Sequence, residues 1–344
     1  MLLYRVEEEK FTNALINNRQ AEATKHILKA GEHLIRYFLK HLLRLSINNR
    51  INEFSFNITS EVNLPDTLLK HLDMESIISY MEKHGIEHSI HIKLLYYAML
   101  CNVNVNDSSI YVTFKELLFG SKNRITKAEF QHLLHLLESI IAQKINSGKL
   151  EFYRELFETY DYQLKNDVYK PDKQAPLTVM KYRNIYLTAL KAGEFEWAEK
   201  FIHEYRDELQ KNDRQSIVEL SMAQLQFEKG NYEETLKHLQ RVRTSQIFYK
   251  IDVKNLGLMA LYELSHFEAA ISSIESFRKM LAGNKTLTGQ YRDKNRNFIS
   301  ILGQLIKAAL ERTEGSREEI LQKISSTEQL GNRRWLIRKA EELR

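Results

Sequence analysis

The stretch GEFEWA at 193–198 is followed by GNYEET at 230–235 and by SHFEAA at 265–270. Each copy starts with a residue that suits a tight turn, has an aromatic residue two positions later, and has a small residue three positions after that. Spacings of 37 and 35 residues are close to the period of helix-turn-helix repeats. The repeat-turn residues are Gly193, Phe195, Ala198, Gly230, Tyr232, Thr235, Ser265, Phe267 and Ala270.

Each part of this pattern has a mechanical role. A glycine ends the first helix of a pair in a left-handed conformation, the aromatic residue packs under the turn, and the small residue allows two helices to cross closely. The repeat therefore predicts stacked helical hairpins between about 177 and 284.

Helical periodicity extends outward from the repeats over almost the whole chain. Apolar residues recur at spacings of three and four, as in Phe114, Leu117 and Leu118, and the chain has only 12 Gly and 3 Pro. These features predict an all-α fold. The alternating Phe54, Phe56 and Ile58 form one exception, for which an extended connector and a single edge strand are both open.

Helix starts carry their own local chemistry. Thr126 and Glu129 have the spacing of a reciprocal capping box, and Asp107 stands where an N-cap residue is expected. Both positions predict a helix that begins immediately afterwards.

One compositional break divides the chain. The segment NDVYKPDKQAP at 166–176 holds two of the three prolines and has no apolar periodicity. We expect an irregular helical region at 1–125, a helix pair at 126–165, a proline-containing loop at 166–176, three repeats at 177–284 and capping helices at 285–344. A further turn at Gly148, 45 residues before Gly193, makes 126–165 a candidate degenerate repeat.

The three turns resemble those of the tetratricopeptide repeat (TPR) family. Seven residues before each turn, where that family prefers a small residue, stand Tyr186, Ala223 and Leu258, so the repeats are degenerate. The resemblance implies a right-handed α-solenoid of TPR-like helix pairs. The segments at 182–202 and 262–277 are also similar to an uncharacterised family of helical-repeat proteins of Bacteroidota-type bacteria, a resemblance that implies no activity.

The TPR resemblance implies that a protein or peptide partner docks on the first helices of the pairs, which line a concave groove. Asn184 fits the family's clamp for a C-terminal carboxylate, but Ser221 stands where a second Asn is needed, which argues against such a clamp. The groove positions carried over from the turns are Arg183, Asn184, Leu187, Lys191, Leu220, Ser221, Gln224, Glu228, Asn255, Leu256, Met259 and Glu263.

Catalytic motifs give little support to an enzyme. Glu129 and His132 have the Glu-x-x-His spacing of di-iron helical bundles, but those sites need two such motifs and the sequence has one. We expect that the protein is not an enzyme and has no cofactor, and a metal site at Glu129 and His132 is the single exception considered. Cys101, the only cysteine, has no second thiol for a disulfide or a metal site, which suits a reducing cytosol.

Charge supplies the alternative function. Formal net charge is +5, and both ends of the chain are basic. No 18-residue apolar window indicates membrane insertion, so we expect a cytoplasmic protein.

Basic residues interleaved with an aromatic residue near the C-terminus could bind nucleic acid. The simpler interpretation is that they belong to a final capping helix with a polar outer face. The residues concerned are Arg292, Arg296, Arg333, Arg334, Trp335 and Arg338.

Overall fold

The computed structural model describes residues 1–56, 62–170, 172, 174–284, 287–311 and 316–343. Within these ranges the protein is all-α, with seventeen α-helices, two short 3₁₀ turns and no strand. The chain divides into two compact units, Met1–Ala175 and Pro176–Arg344. The proline-containing loop at 166–176 lies at this division.

The described residues of unit 1 form eight α-helices. They are α1 (Leu2–Ile16), α2 (Gln20–Phe56), α3 (Leu64–His71), α4 (Met74–Lys83), α5 (Ser89–Val103), α6 (Ser108–Gly120), α7 (Lys127–Asn146) and α8 (Phe152–Lys165). Helices α5 and α7 form the centre, since Leu94, Leu95, Leu134 and Ile141 are completely buried. Helix α7 packs against α5, α6 and α8, so the candidate fourth hairpin lies among the N-terminal helices.

The sequence-based expectation at 54–58 is wrong where the structure describes it. Helix α2 continues through Phe56, and Ile58 lies outside the described residues. A lone strand needs a second strand to hydrogen-bond its backbone, whereas a continued helix satisfies those groups within one segment. Period-2 alternation over five residues is too short to override this preference.

Local capping chemistry is confirmed in unit 1. The Thr126 hydroxyl accepts the Glu129 N–H at 3.2 Å, while a Glu129 carboxylate oxygen accepts the Thr126 N–H at 3.1 Å. Asp107 accepts the backbone N–H groups of Ser109 and Ile110 at the start of α6. These bonds fix where α6 and α7 begin.

In the part of unit 2 that the structure describes there are nine α-helices, and consecutive helices pack on one another. They are α9 (Val179–Lys191), α10 (Phe195–Glu204), α11 (Arg214–Glu228), α12 (Tyr232–Arg241), α13 (Ile247–Glu263), α14 (Phe267–Gly283), α15 (Gly289–Glu311), α16 (Ser316–Ser326) and α17 (Arg333–Glu341). Buried apolar side chains form one core from Leu220 to Ala340. No helix in the described ranges of either unit has the length and apolar content to cross a membrane.

The turns at 193, 230 and 265 share one geometry. In the first, the N–H of Glu194 donates to the carbonyl of Ala189 at 2.9 Å, and Gly193 has φ +80°. The other two have the same bond and a left-handed residue: Asn231 to Gln226 with Gly230 at φ +81°, and His266 to Leu261 with Ser265 at φ +58°.

Packing around these turns also repeats. The Phe227 and Tyr232 rings meet edge to face with centroids 5.3 Å apart, and Tyr262 and Phe267 repeat the contact at 5.6 Å. The small residues Ala198, Thr235 and Ala270 are completely buried. The left-handed turn and the buried small residue are therefore common to all three hairpins, whereas the ring contact is shared by the second and third only, since Leu190 stands at the corresponding position of the first.

Candidate partner-binding face

The first-helix face is the surface formed by α9, α11 and α13, the first helices of the three hairpins. Direct polar bonds join these helices. Lys191 in α9 donates to Glu228 in α11 at 2.6 Å, and the Tyr186 hydroxyl donates to Gln224. The Asn255 side-chain amide in α13 donates a hydrogen bond to Asn295 Oδ1 in α15 at 2.8 Å. Polar side chains thus join α9 to α11 and α13 to α15.

Arg183 and Asp252 link the first and third hairpins. The Arg183 guanidinium donates to Asp252 Oδ2 at 2.7 Å, and each side chain is only about a quarter exposed. The guanidinium also lies over the Tyr249 ring, 5.5 Å from its centroid. Burial raises the pKa of Asp252 above its ordinary value. Arg183 therefore has an internal partner and is a poor probe of partner binding.

Four predicted groove residues are buried. Leu220, Leu256 and Met259 belong to the core of unit 2, and the buried Ser221 hydroxyl donates to the carbonyl of Ile217 at 2.7 Å. Spacing from the turn gives a position along a helix, but the neighbours of each helix decide which side is covered. Asn184, Lys191 and Glu228 are exposed, while Leu187 and Gln224 are half-buried.

Glu263 lies at the contact between α13 and α17. It accepts the Trp335 indole N–H at 2.7 Å and the Lys339 ammonium at 2.8 Å, with an additional Arg338 contact at 3.3 Å. The Glu263 and Lys339 side chains are each less than a tenth exposed. This predicted groove residue therefore attaches the last helix to the third hairpin.

The basic C-terminal residues are mostly engaged within the protein. Trp335 is buried against Tyr262 and Phe298, which leaves no free face for a base. Arg333 donates to the carbonyls of Ile324, Thr327 and Glu328, and Arg292 donates to those of Asn284 and Leu287. Arg296 lies 3.9 Å from Asp293, and Arg334 is exposed. These arginines chiefly neutralise helix ends and carboxylates.

The Glu129 carboxylate has protein partners other than His132. Lys40 donates to Glu129 Oε1 at 3.0 Å, and Nδ1 of the buried His91 lies 2.7 Å from the same oxygen. Burial alone would raise the pKa of Glu129, but the Lys40 and Thr126 hydrogen bonds outweigh it and hold that pKa at about 2. The carboxylate is therefore charged and already bound.

His91 and His132 are kept neutral at the same place. Burial lowers the pKa of each imidazole to about 4, and nearby lysine or arginine charges act in the same direction. In the described part of the chain, no three His, Cys, Asp or Glu side chains are arranged to hold a metal ion. The sequence did not indicate this cluster, because Lys40, His91 and Glu129 come from three separate helices.

An apolar groove on unit 1 was also not predicted. It has a volume of about 900 Å³ and lies between α2 and α4, with Leu28, Ile35 and Tyr80 exposed along it. More than half of the large apolar side chains exposed in the described part of the chain lie within the first 45 residues. Such a concentration is typical of a surface that contacts another protein, a membrane or a ligand.

Comparison of the chain with family models, with curated proteins and with solved structures gave no match.

Proposed function

We propose that this protein is a non-catalytic scaffold for protein–protein interactions, with the hairpins of unit 2 arranged as a right-handed TPR-like α-solenoid. The supporting observation is the repeated turn, which gives three hairpins with one turn geometry, whose first helices are linked by polar bonds from α9 to α11 and from α9 to α13. Arrays of this kind present an extended face to a peptide or helix.

The accessible part of the first-helix face narrows the proposed site. Asn184, Lys191 and Glu228 are exposed there, with Leu187 and Gln224 half-buried between them. Amide and charged groups beside a small apolar area suit a polar peptide with one apolar anchor. The Lys191–Glu228 pair is exposed enough to exchange its internal partner for one on a ligand.

A charge reversal tests this site without disturbing the core. Lys191→Glu places two carboxylates together on the face, and we expect loss of partner capture from the source cells with unchanged helicity by circular dichroism. Lys200→Glu is the matched control, because Lys200 lies on the second helix of the same hairpin and is 71% exposed. Equal capture by both variants would contradict the proposed face.

Nucleic-acid binding through the C-terminal helices receives less support. Trp335, the aromatic residue of that proposed site, is buried. Arg292, Arg333 and Arg338 each donate to carbonyl or carboxylate oxygens of the protein itself. A phosphate would have to displace those partners before it gained a counter-charge.

A further inference from the structure

We propose that the apolar face of α2 binds a second copy of this chain, with the two α2 helices antiparallel. The seam consists of Leu28, Gly31, Ile35 and Phe38, which follow the alternating three- and four-residue spacing of a coiled coil, and of Leu45, which lies seven residues further along α2. Leu42, at the position between Phe38 and Leu45, is buried within the protein. Leu28, Ile35, Phe38 and Leu45 are between 43% and 70% exposed, although α2 packs its other sides on α1, α3 and α5. The first-helix face of unit 2 has no part in this proposal.

The size of the seam is close to what a stable dimer needs. A fully exposed large apolar residue has an accessible surface of roughly 200 Å². With their exposed fractions, the four apolar seam side chains together with Leu34 and Tyr80 present roughly 600 Å². The largest apolar patch of a monomeric protein is about 300–600 Å², and a standard interface buries about 800 Å² on each partner. Polar groups at the rim, such as Glu32, can supply the remainder.

The shape of the seam points to a second copy of the same helix. In one antiparallel alignment, Leu28 lies opposite Phe38 of the other copy and Gly31 lies opposite Ile35. Both pairs occur twice about a two-fold axis next to Leu34. An ideal Cβ built on Gly31 would meet no described atom within 4 Å, so this glycine leaves a space that an isoleucine can fill. A surface with its own projections and recesses suits an isologous dimer.

The mass of the full-length protein tests the proposal, measured by sedimentation velocity and native mass spectrometry over a wide concentration range. We expect a dimer. Ile35→Glu should weaken it roughly 100-fold or more, because each dimer would bury two unpaired charges. Met180→Glu is the control, since Met180 is 75% exposed on α9 of unit 2, and it should leave the mass unchanged. A single-chain mass at every concentration, or a dimer that survives Ile35→Glu, would overturn the proposal.

Gly31→Leu separates dimerisation from folding. It should raise the stability of the single chain, because leucine favours a helix more than glycine and its Cβ meets open space. The same variant should weaken the dimer by filling the space for Ile35 of the other copy. A Gly31→Leu dimer as tight as the unmodified one would count against the alignment.

Cysteine cross-linking tests the direction of the helices. Leu34→Cys places a thiol beside the two-fold axis and should give a disulfide-linked dimer under mild oxidation. Leu45→Cys should not, because its two copies would lie about 36 Å apart along the helices. The natural Cys101 is buried and provides a non-reacting background. Equal cross-linking of both variants would indicate a parallel arrangement and overturn the proposal.

Discussion

Glu263 in α13 and Trp335 in α17 are joined by a hydrogen bond of 2.7 Å across 72 residues of sequence. Lys339 binds the other carboxylate oxygen of Glu263 from the next turn of α17. The last helix is thus attached to the third hairpin by one carboxylate with two buried partners. Trp335 is unavailable for base stacking because its ring is buried against Tyr262 and Phe298.

Glu263→Gln should destabilise unit 2 by about 2 kcal/mol, because it leaves the buried Lys339 charge with only Glu342 as a partner. Denaturant unfolding followed by circular dichroism measures this. Glu275→Gln is the matched control and should change stability by less than about 0.5 kcal/mol, since its pair with Arg278 is exposed. Equal effects of the two changes would contradict a structural role for Glu263.

Gly230→Ala should cost about 1 kcal/mol or more, because an alanine Cβ is strained at φ +81°. Gly303→Ala should instead stabilise by about 1 kcal/mol, since Gly303 is inside α15 and an added Cβ meets no described atom within 4 Å. Melting temperatures of the two variants test these opposite signs. A gain in stability at position 230 would show that the left-handed turn is not needed.

Ser265→Gly tests the third turn by removing backbone strain, whereas Gly230→Ala adds it. Ser265 occupies the left-handed region at φ +58°, where glycine has no steric penalty. We expect an increase in stability of up to about 1 kcal/mol, part of which is offset by the greater freedom of glycine in the unfolded chain. Calorimetry of the full-length protein measures the change, and a clear loss of stability would contradict the expected relief of strain.

Unit 1 should lose stability as pH falls from about 6.5 towards about 4. Burial lowers the pKa of His91 to about 4 in the folded protein, whereas an unfolded histidine titrates near 6.5. Between these values the unfolded chain binds more protons, so acid favours unfolding, by about 3 kcal/mol for this residue. Urea unfolding at several pH values should therefore be less pH-dependent for His91→Phe. His203→Gln, on an exposed residue, is the control; an unchanged slope for His91→Phe would contradict the assignment.

Nucleic acid should not bind the C-terminal helices specifically. Gel-shift assays with generic DNA and RNA at low salt should show either no complex or one that Arg334→Glu leaves unaffected. The physical reason is that the neighbouring arginines already bond protein oxygens. A salt-sensitive complex that Arg334→Glu abolishes would favour the alternative function.

Local chemistry made part of this structure predictable from sequence. Gly193, Gly230 and the Thr126–Glu129 capping box each act through atoms within a few residues, so their spacing alone indicated helix ends. The all-α fold was predictable because apolar residues recur at spacings of three and four along most of the chain. The short alternation at Phe54 and Phe56 was misleading because α2 simply continues through it.

Long-range partners could not be predicted in this way. Nothing near Ser221 in the sequence shows that its hydroxyl is buried, and nothing near Glu263 points to Trp335. The exposed face of α2 was missed because apolar spacing does not distinguish a covered side of a long helix from an uncovered one. Only the positions of α1, α3, α4 and α5 reveal which side remains open.

The identical turns have a consequence for how such a chain can change in length. The turn inside each hairpin forms the same backbone hydrogen bond, so each hairpin is stabilised by contacts between its own two helices. The connections between hairpins differ, since residues 206–208 form a 3₁₀ turn and the connection at 242–246 has no helix. Duplication of α11–α12, joined at that connection, would add a hairpin while Glu263, Trp335 and Lys339 still close the C-terminal end. The terminal attachment and the number of hairpins are therefore separable properties, one set by a single carboxylate and the other by gene duplication.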